Sequence, residues 1–132
     1  MAKGWQDIQS EIKAGAAPDK PAGDFDGVRR AKYKLVSDIT KRPLIVYVTA
    51  FHNPVKAAMA APFLSIDLSD KDGFHEVTRN LKSDVVDVFL HSPGGSAEAT
   101  ESIVKMLRGK FKDVRFIITG AAKSAATMMA MS

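Results

Sequence analysis

The run Leu44-Ile45-Val46-Tyr47-Val48-Thr49-Ala50 constrains this chain more than any other feature. It is continuous, β-rich and uncharged, and unbroken hydrophobicity of that kind suits a strand covered on both sides, as in parallel sheets. Two similar runs follow, at Val85 to Leu90 and Val114 to Thr119. The segments between them read as helices. The order helix, strand, helix, strand, helix, strand, helix predicts an α/β domain with a mainly parallel sheet.

The helical readings rest on spacing and caps. Ser69-Asp70-Lys71-Asp72 resembles a helix start, with a capping serine and an acid three residues on, and Phe74, Val77 and Leu81 supply its buried stripe. Ser96 is expected to cap a helix that buries Ala99, Ile103, Met106 and Leu107, with Gly109 as its stop. A last helix is expected from Ala121 to Ser132, with Met128, Met129 and Met131 as packing residues. Phe51 to Ser65, with two prolines and an alanine cluster, reads as a long loop.

Upstream, Trp5 to Ala14 predicts a short helix with Trp5, Ile8 and Ile12 on one side, ended by Gly15. The prolines of residues 16–21 mark a linker. From Asp24 to Thr40, Val28, Ala31, Leu35 and Ile39 recur at helical spacing and predict an amphipathic helix. The expected organisation is a helical appendage and linker over residues 1–23, then one domain over 24–132. A length of 132 residues suits a single domain with a buried core.

Composition excludes several kinds of chemistry. Without cysteine the chain has no disulfide, thiolate metal site or cysteine nucleophile. Its net charge of +4 is concentrated between Lys20 and Arg42. No aromatic or Gly-rich nucleic-acid motif accompanies those charges, so they read as a solvated helix face and no nucleic-acid partner is expected. The first residues lack the apolar core of a secretory signal, and no run approaches the ~20 apolar residues that span a bilayer. A cytoplasmic location is expected, with no membrane association indicated.

The chemistry concentrates where strands meet helices, since functional groups gather at the carboxyl ends of parallel strands. Two small-residue turns lie there, Pro93-Gly94-Gly95-Ser96 and Gly120-Ala121-Ala122-Lys123-Ser124. A serine becomes a useful nucleophile at a sharp strand-to-helix junction with backbone N–H groups beside it to receive an oxyanion. Ser124 has that setting. The N–H of Ala125 and one of the N–H groups of Gly94 and Gly95 are the expected donors.

His91-Ser92-Pro93-Gly94-Gly95-Ser96 together with Gly120-Ala121-Ala122-Lys123-Ser124-Ala125-Ala126 resembles the paired motifs of the Clp-protease and signal-peptide-peptidase-A superfamily. Within it, the sequence is most similar to the serine dehydrogenase proteinase family. The resemblance spans about two thirds of the chain, from Leu44 to Ser132. It implies a spiral ββα fold shared with crotonases, Ser124 as nucleophile, and Gly94, Gly95 and Ala125 around the oxyanion. It also implies a histidine or lysine base downstream of the serine. The chain is therefore expected to be the amino-terminal part of the domain, truncated before its general base.

The expected function is hydrolysis of a peptide or protein substrate by a Clp-like serine peptidase, as a homo-oligomer or assembled with a full-length relative. The alternatives are a non-catalytic binding or assembly module on the same scaffold and a crotonase-like acyl-CoA enzyme. His91, at a strand end, and Lys123, next to Ser124, are accessory candidates. His52 is expected in a loop facing the same side of the sheet, and His75 on a helix surface. Three histidines without carboxylates at ligand spacing predict no metal site, and no phosphate-binding loop is present, so no cofactor is expected.

Overall fold

A computed structural model describes residues 3–132, so the first two residues of the expected 1–23 appendage lie outside the described residues. The chain forms two compact units, one ending at Lys41 and one running from Arg42 to Ser132. The expected junction between residues 23 and 24 falls inside the first of them. Among the described residues no helix is long and apolar enough to cross a membrane.

The first unit is a pair of helices. Helix α1 (Trp5–Ala14) is followed by Gly15, whose N–H bonds back to Glu11 and Ile12. Helix α2 (Phe25–Thr40) is capped by Asp24, whose carboxylate accepts the Gly27 N–H at 3.1 Å. Lys41, in the left-handed conformation, ends it. An ion pair from Lys32 to Glu11 ties the two helices together, and one from Lys20 to Asp24 braces the linker against the α2 cap. Of the expected α1 stripe only Ile12 is buried, and Trp5 is exposed. None of the α2 stripe is buried, because within its unit only α1 faces a helix of four turns.

The second unit contains the sheet. Strands β1 (Leu44–Val48), β2 (Val85–His91) and β3 (Asp113–Ile117) are all parallel and lie side by side in that order. Ile45 stands opposite Val88, and Val88 opposite Phe116. The expected α/β architecture with a parallel sheet is present. Between β1 and β2 come helix α3 (Pro54–Ala60), a 3-10 turn (Ala61–Phe63) and helix α4 (Leu68–Arg79). Helix α5 (Ala97–Lys110) connects β2 to β3, and helix α6 (Ala125–Ala130) follows β3.

The core forms on one face of the sheet. Ile45, Val86, Val88, Leu90 and Val114 pack there with Phe74 of α4, Ile103 and Leu107 of α5, and Met129 of α6. Each fully buried aliphatic side chain contributes about 1.5–3 kcal/mol over the exposed state. Tyr47 stacks on Phe74 and donates its hydroxyl proton to Asp70 at 2.9 Å. Burial, reinforced by the Asp70 carboxylate, holds that hydroxyl protonated far above its ordinary range. On the other face, Val46 and Val48 of β1 are exposed, so β1 is covered on one side, not on both as its composition suggests.

Several boundaries differ from expectation for local reasons. Phe51 to Ser65 is not a loop throughout: Asn53 caps α3 by accepting the Lys56 N–H, and Pro54 occupies the first helical turn, where no N–H is needed. Helix α4 starts earlier, because Asp67 accepts the Ser69 and Asp70 N–H groups while Asp70 bonds back to the Asp67 N–H. Its buried partner to Phe74 is Thr78, not Val77, since the Thr78 hydroxyl is satisfied by the Phe74 carbonyl at 2.8 Å. Helix α5 runs through Gly109 to Lys110. Helix α6 begins at Ala125, leaving residues 121–124 as a turn, and buries Met129 while Met128 and Met131 stay exposed.

Candidate active site

Pairing between the strands continues past their carboxyl ends and brings the two small-residue turns together. Ser92, fully buried, donates its N–H to the Ala121 carbonyl at 3.0 Å and accepts the Lys123 N–H at 3.1 Å. That isolated parallel bridge between Ser92 and Ala122 extends β2 against the chain leaving β3. The Ser92 hydroxyl in turn accepts the Gly94 N–H at 3.1 Å, which fixes the start of the Gly-Gly turn.

Gly94 has a φ of +100°, a conformation that side chains rarely adopt. A methyl carbon added there would lie 2.5 Å from the Lys123 carbonyl oxygen, 2.8 Å from Ser124 Cβ and 3.1 Å from the Ala125 nitrogen. The turn therefore rests directly against the serine. Gly94→Ala should cost about 2 kcal/mol, combining positive-φ strain with these overlaps. Urea denaturation measures it, and a loss below about 0.5 kcal/mol would mean that the turns are not packed this way.

Gly95 meets a different neighbour. It forms a parallel bridge with Ile66, in which Ile66 donates its N–H to the Gly94 carbonyl and accepts the Ser96 N–H, both at 2.8 Å. In parallel pairing the residue between those two bonds turns its own N–H toward the opposite edge. The Gly95 N–H therefore points away from Ile66. Among the described residues neither it nor the Ala125 N–H has an acceptor.

Ser124 stands at the junction of the turn and α6 with φ +51° and ψ −124°. For a residue with a side chain this is a sparsely populated conformation costing about 1–3 kcal/mol, and it makes the chain reverse sharply at that point. The side chain is exposed, and among the described residues its hydroxyl has no hydrogen-bond partner. It does not act as a helix cap. Ala125 and Ala126 behind it are buried, and the Ala126 N–H donates to the Lys123 carbonyl at 3.0 Å.

The accessory candidates lie in an aromatic cluster at the same end of the sheet. His91 stacks on Phe51 with ring centroids 4.8 Å apart, and the His52 ring is 5.2 Å from it. The His91 Nδ1 accepts the Ala121 N–H at 3.1 Å. The Lys123 ammonium lies 5.7 Å from the centre of the Phe51 ring, within reach of a cation–π contact. His75 sits exposed on α4. Among the described residues no cluster of three or more histidines and carboxylates is placed to hold a metal ion.

Sequence reasoning missed three residues that shape this region, namely Phe51, Ile66 and Ser92. Phe51 follows the first strand directly, so its place at the carboxyl edge was readable. The pairing of Ile66 with Gly95 joins segments 29 positions apart and left no local signal. A family model described as Clp protease matches residues 31–132. No curated protein is similar enough to the chain to count as a match.

Proposed function

The chain belongs to the Clp protease family, and on that premise we propose that it is a serine-type peptidase fold with Ser124 as nucleophile and the Gly95 and Ala125 N–H groups as oxyanion donors. The observation that carries this reading is the strained, exposed Ser124 against Gly94, with acceptor-free N–H groups on the residue that follows each of them, Ala125 and Gly95. Gly94 then acts as the close-packed support of the site, because its own N–H is committed to Ser92.

In this reading the Ser124 oxygen attacks a peptide carbonyl carbon, and the carbonyl π electrons move onto the oxygen facing the two N–H groups. Collapse of that tetrahedral species expels the amine, which takes up a proton, and leaves an acyl-serine ester for water to hydrolyse. The hydroxyl proton needs an acceptor. His91 Nδ1 is engaged by Ala121, and the Lys123 ammonium lies toward Phe51, so neither takes that role. In this chain the proton passes from the exposed Ser124 hydroxyl to water or a buffer base, and the departing amine is protonated from the same source. The narrower assignment to the serine dehydrogenase proteinases is supported by the two quoted motifs.

The test is covalent. A fluorophosphonate probe incubated with the full chain should leave its phosphonyl group on the peptide containing Ser124, located by mass spectrometry. An adduct on another residue, or no adduct at all, would sink the reading.

A further inference from the structure

We propose that His91 is a positioning residue: its neutral ring, with the proton on Nε2, holds the 120–124 turn in the shape that presents Ser124. This rests on the reading of Ser124 as nucleophile. A backbone N–H can only donate, so the contact of the Ala121 N–H with Nδ1 requires that nitrogen to be unprotonated and places the ring proton on Nε2.

The ring also defines the turn sterically. A methyl carbon added to Gly120 would lie 2.6 Å from His91 Nδ1 and 2.8 Å from Cε1, so the chain leaving β3 crosses directly over the imidazole edge. Together with the two bonds made by Ser92, the Nδ1 contact gives residues 120–123 three successive anchors on the end of β2. One of them is a side chain that can lose its acceptor. Ser124, held at a costly φ and ψ, is the next residue.

The surroundings favour the neutral form. Phe51 stacks against the ring, and the titratable groups that face this cluster are His52, from the segment after β1, and Lys123, over the outer side of Phe51. Among the described residues no carboxylate contributes to the shift of the His91 ring. Burial, with a smaller contribution from His52, keeps the imidazole below its ordinary range. The folded state thus resists the proton more than the unfolded chain does. The stabilisation is complete above the unfolded value and is lost as pH falls through the folded one.

The test uses NMR on the full chain together with two variants. Expected are a ring-nitrogen pattern of the Nε2–H tautomer at neutral pH and an Ala121 amide resonance that shifts with the His91 titration. His91→Asn, whose Oδ1 can replace Nδ1 as acceptor, should keep the fluorophosphonate labelling rate within about threefold and abolish the pH dependence of the Ala121 amide. His91→Phe, which keeps the ring and removes the acceptor, should slow labelling by about tenfold or more.

An Nδ1–H tautomer, an Ala121 amide indifferent to the titration, or a His91→Phe variant labelled at the wild-type rate would each overturn the proposal. If His91→Phe fails to fold, the tautomer and the Asn variant decide. The tautomer and amide measurements do not involve the serine. They therefore stand or fall separately from the assignment of Ser124.

Discussion

Replacing Ser124 with alanine should abolish fluorophosphonate labelling, and replacing it with glycine should abolish labelling while giving a protein about 1 kcal/mol more stable than the alanine variant. Both changes remove the oxygen. Loss of the nucleophile from a unit of this kind costs at least about a thousandfold in rate, so residual labelling near the wild-type level would exclude Ser124. The stability comparison probes the backbone. At an ordinary exposed position glycine is less favourable than alanine by about 0.5–1 kcal/mol, because it loses more conformational freedom on folding.

At φ +51° and ψ −124° the sign should reverse. Alanine inherits the strain of the serine, about 1–3 kcal/mol, whereas glycine enters that region freely and gives back more than its entropic cost. Urea denaturation of the two variants measures the difference directly. An alanine variant more stable than the glycine variant would show that the turn is relaxed and that Ser124 is not held under strain. Stability spent on the geometry of one reactive side chain is a common feature of functional sites.

The readable part of this molecule is the part governed by local chemistry. The apolar runs at Leu44 and Val85 became parallel neighbours because strands of that composition are stable only inside a sheet, and β2 sits at its centre. Ser124 and the Gly94-Gly95 turn could be paired from order alone, since two strand-to-helix turns on adjacent parallel strands must emerge at the same edge. Helix starts were harder. Ser69 and Asp67 are both good caps two residues apart, and the choice was decided by Asp70 closing the box with Asp67. Val77 is the more apolar residue, yet Thr78 lies four positions from Phe74 and can be buried by bonding its own helix.

What stayed hidden depends on distant partners. Which Gly-Gly amide is available follows from Ile66 taking one edge of the turn and Ser92 Oγ taking the Gly94 N–H, neither visible in a window of sequence. The role of His91 is hidden for the same reason. A histidine ending a strand beside a serine turn invites assignment as a base, and only the Ala121 N–H on Nδ1 shows that its acceptor nitrogen is committed to the backbone.

Asp87→Ala should destabilise the sheet unit by about 3 kcal/mol, a large part of the stability of a domain this size. Asp87 is fully buried in the central strand, where its carboxylate receives Arg42 Nε at 2.6 Å and the fork of Arg115, with Nε at 3.0 Å and Nη2 at 2.6 Å. Arg42 continues to the Asp113 carboxylate and to the Val86 and Asp113 carbonyls. One carboxylate thus ties the entry to β1 and the middle of β3 to the central strand β2. Alanine would take from the Arg42 side chain, only 14% exposed, its contact with the buried Asp87 carboxylate, while Arg115, 50% exposed, could rehydrate. That asymmetry puts the expected cost at the lower end of the range for broken buried ion pairs, about 3–5 kcal/mol. Arg115→Ala should accordingly cost clearly less than Asp87→Ala. Urea denaturation of both variants gives the order, and an Asp87→Ala loss below about 1 kcal/mol would mean that the three strands hold their register without this cluster.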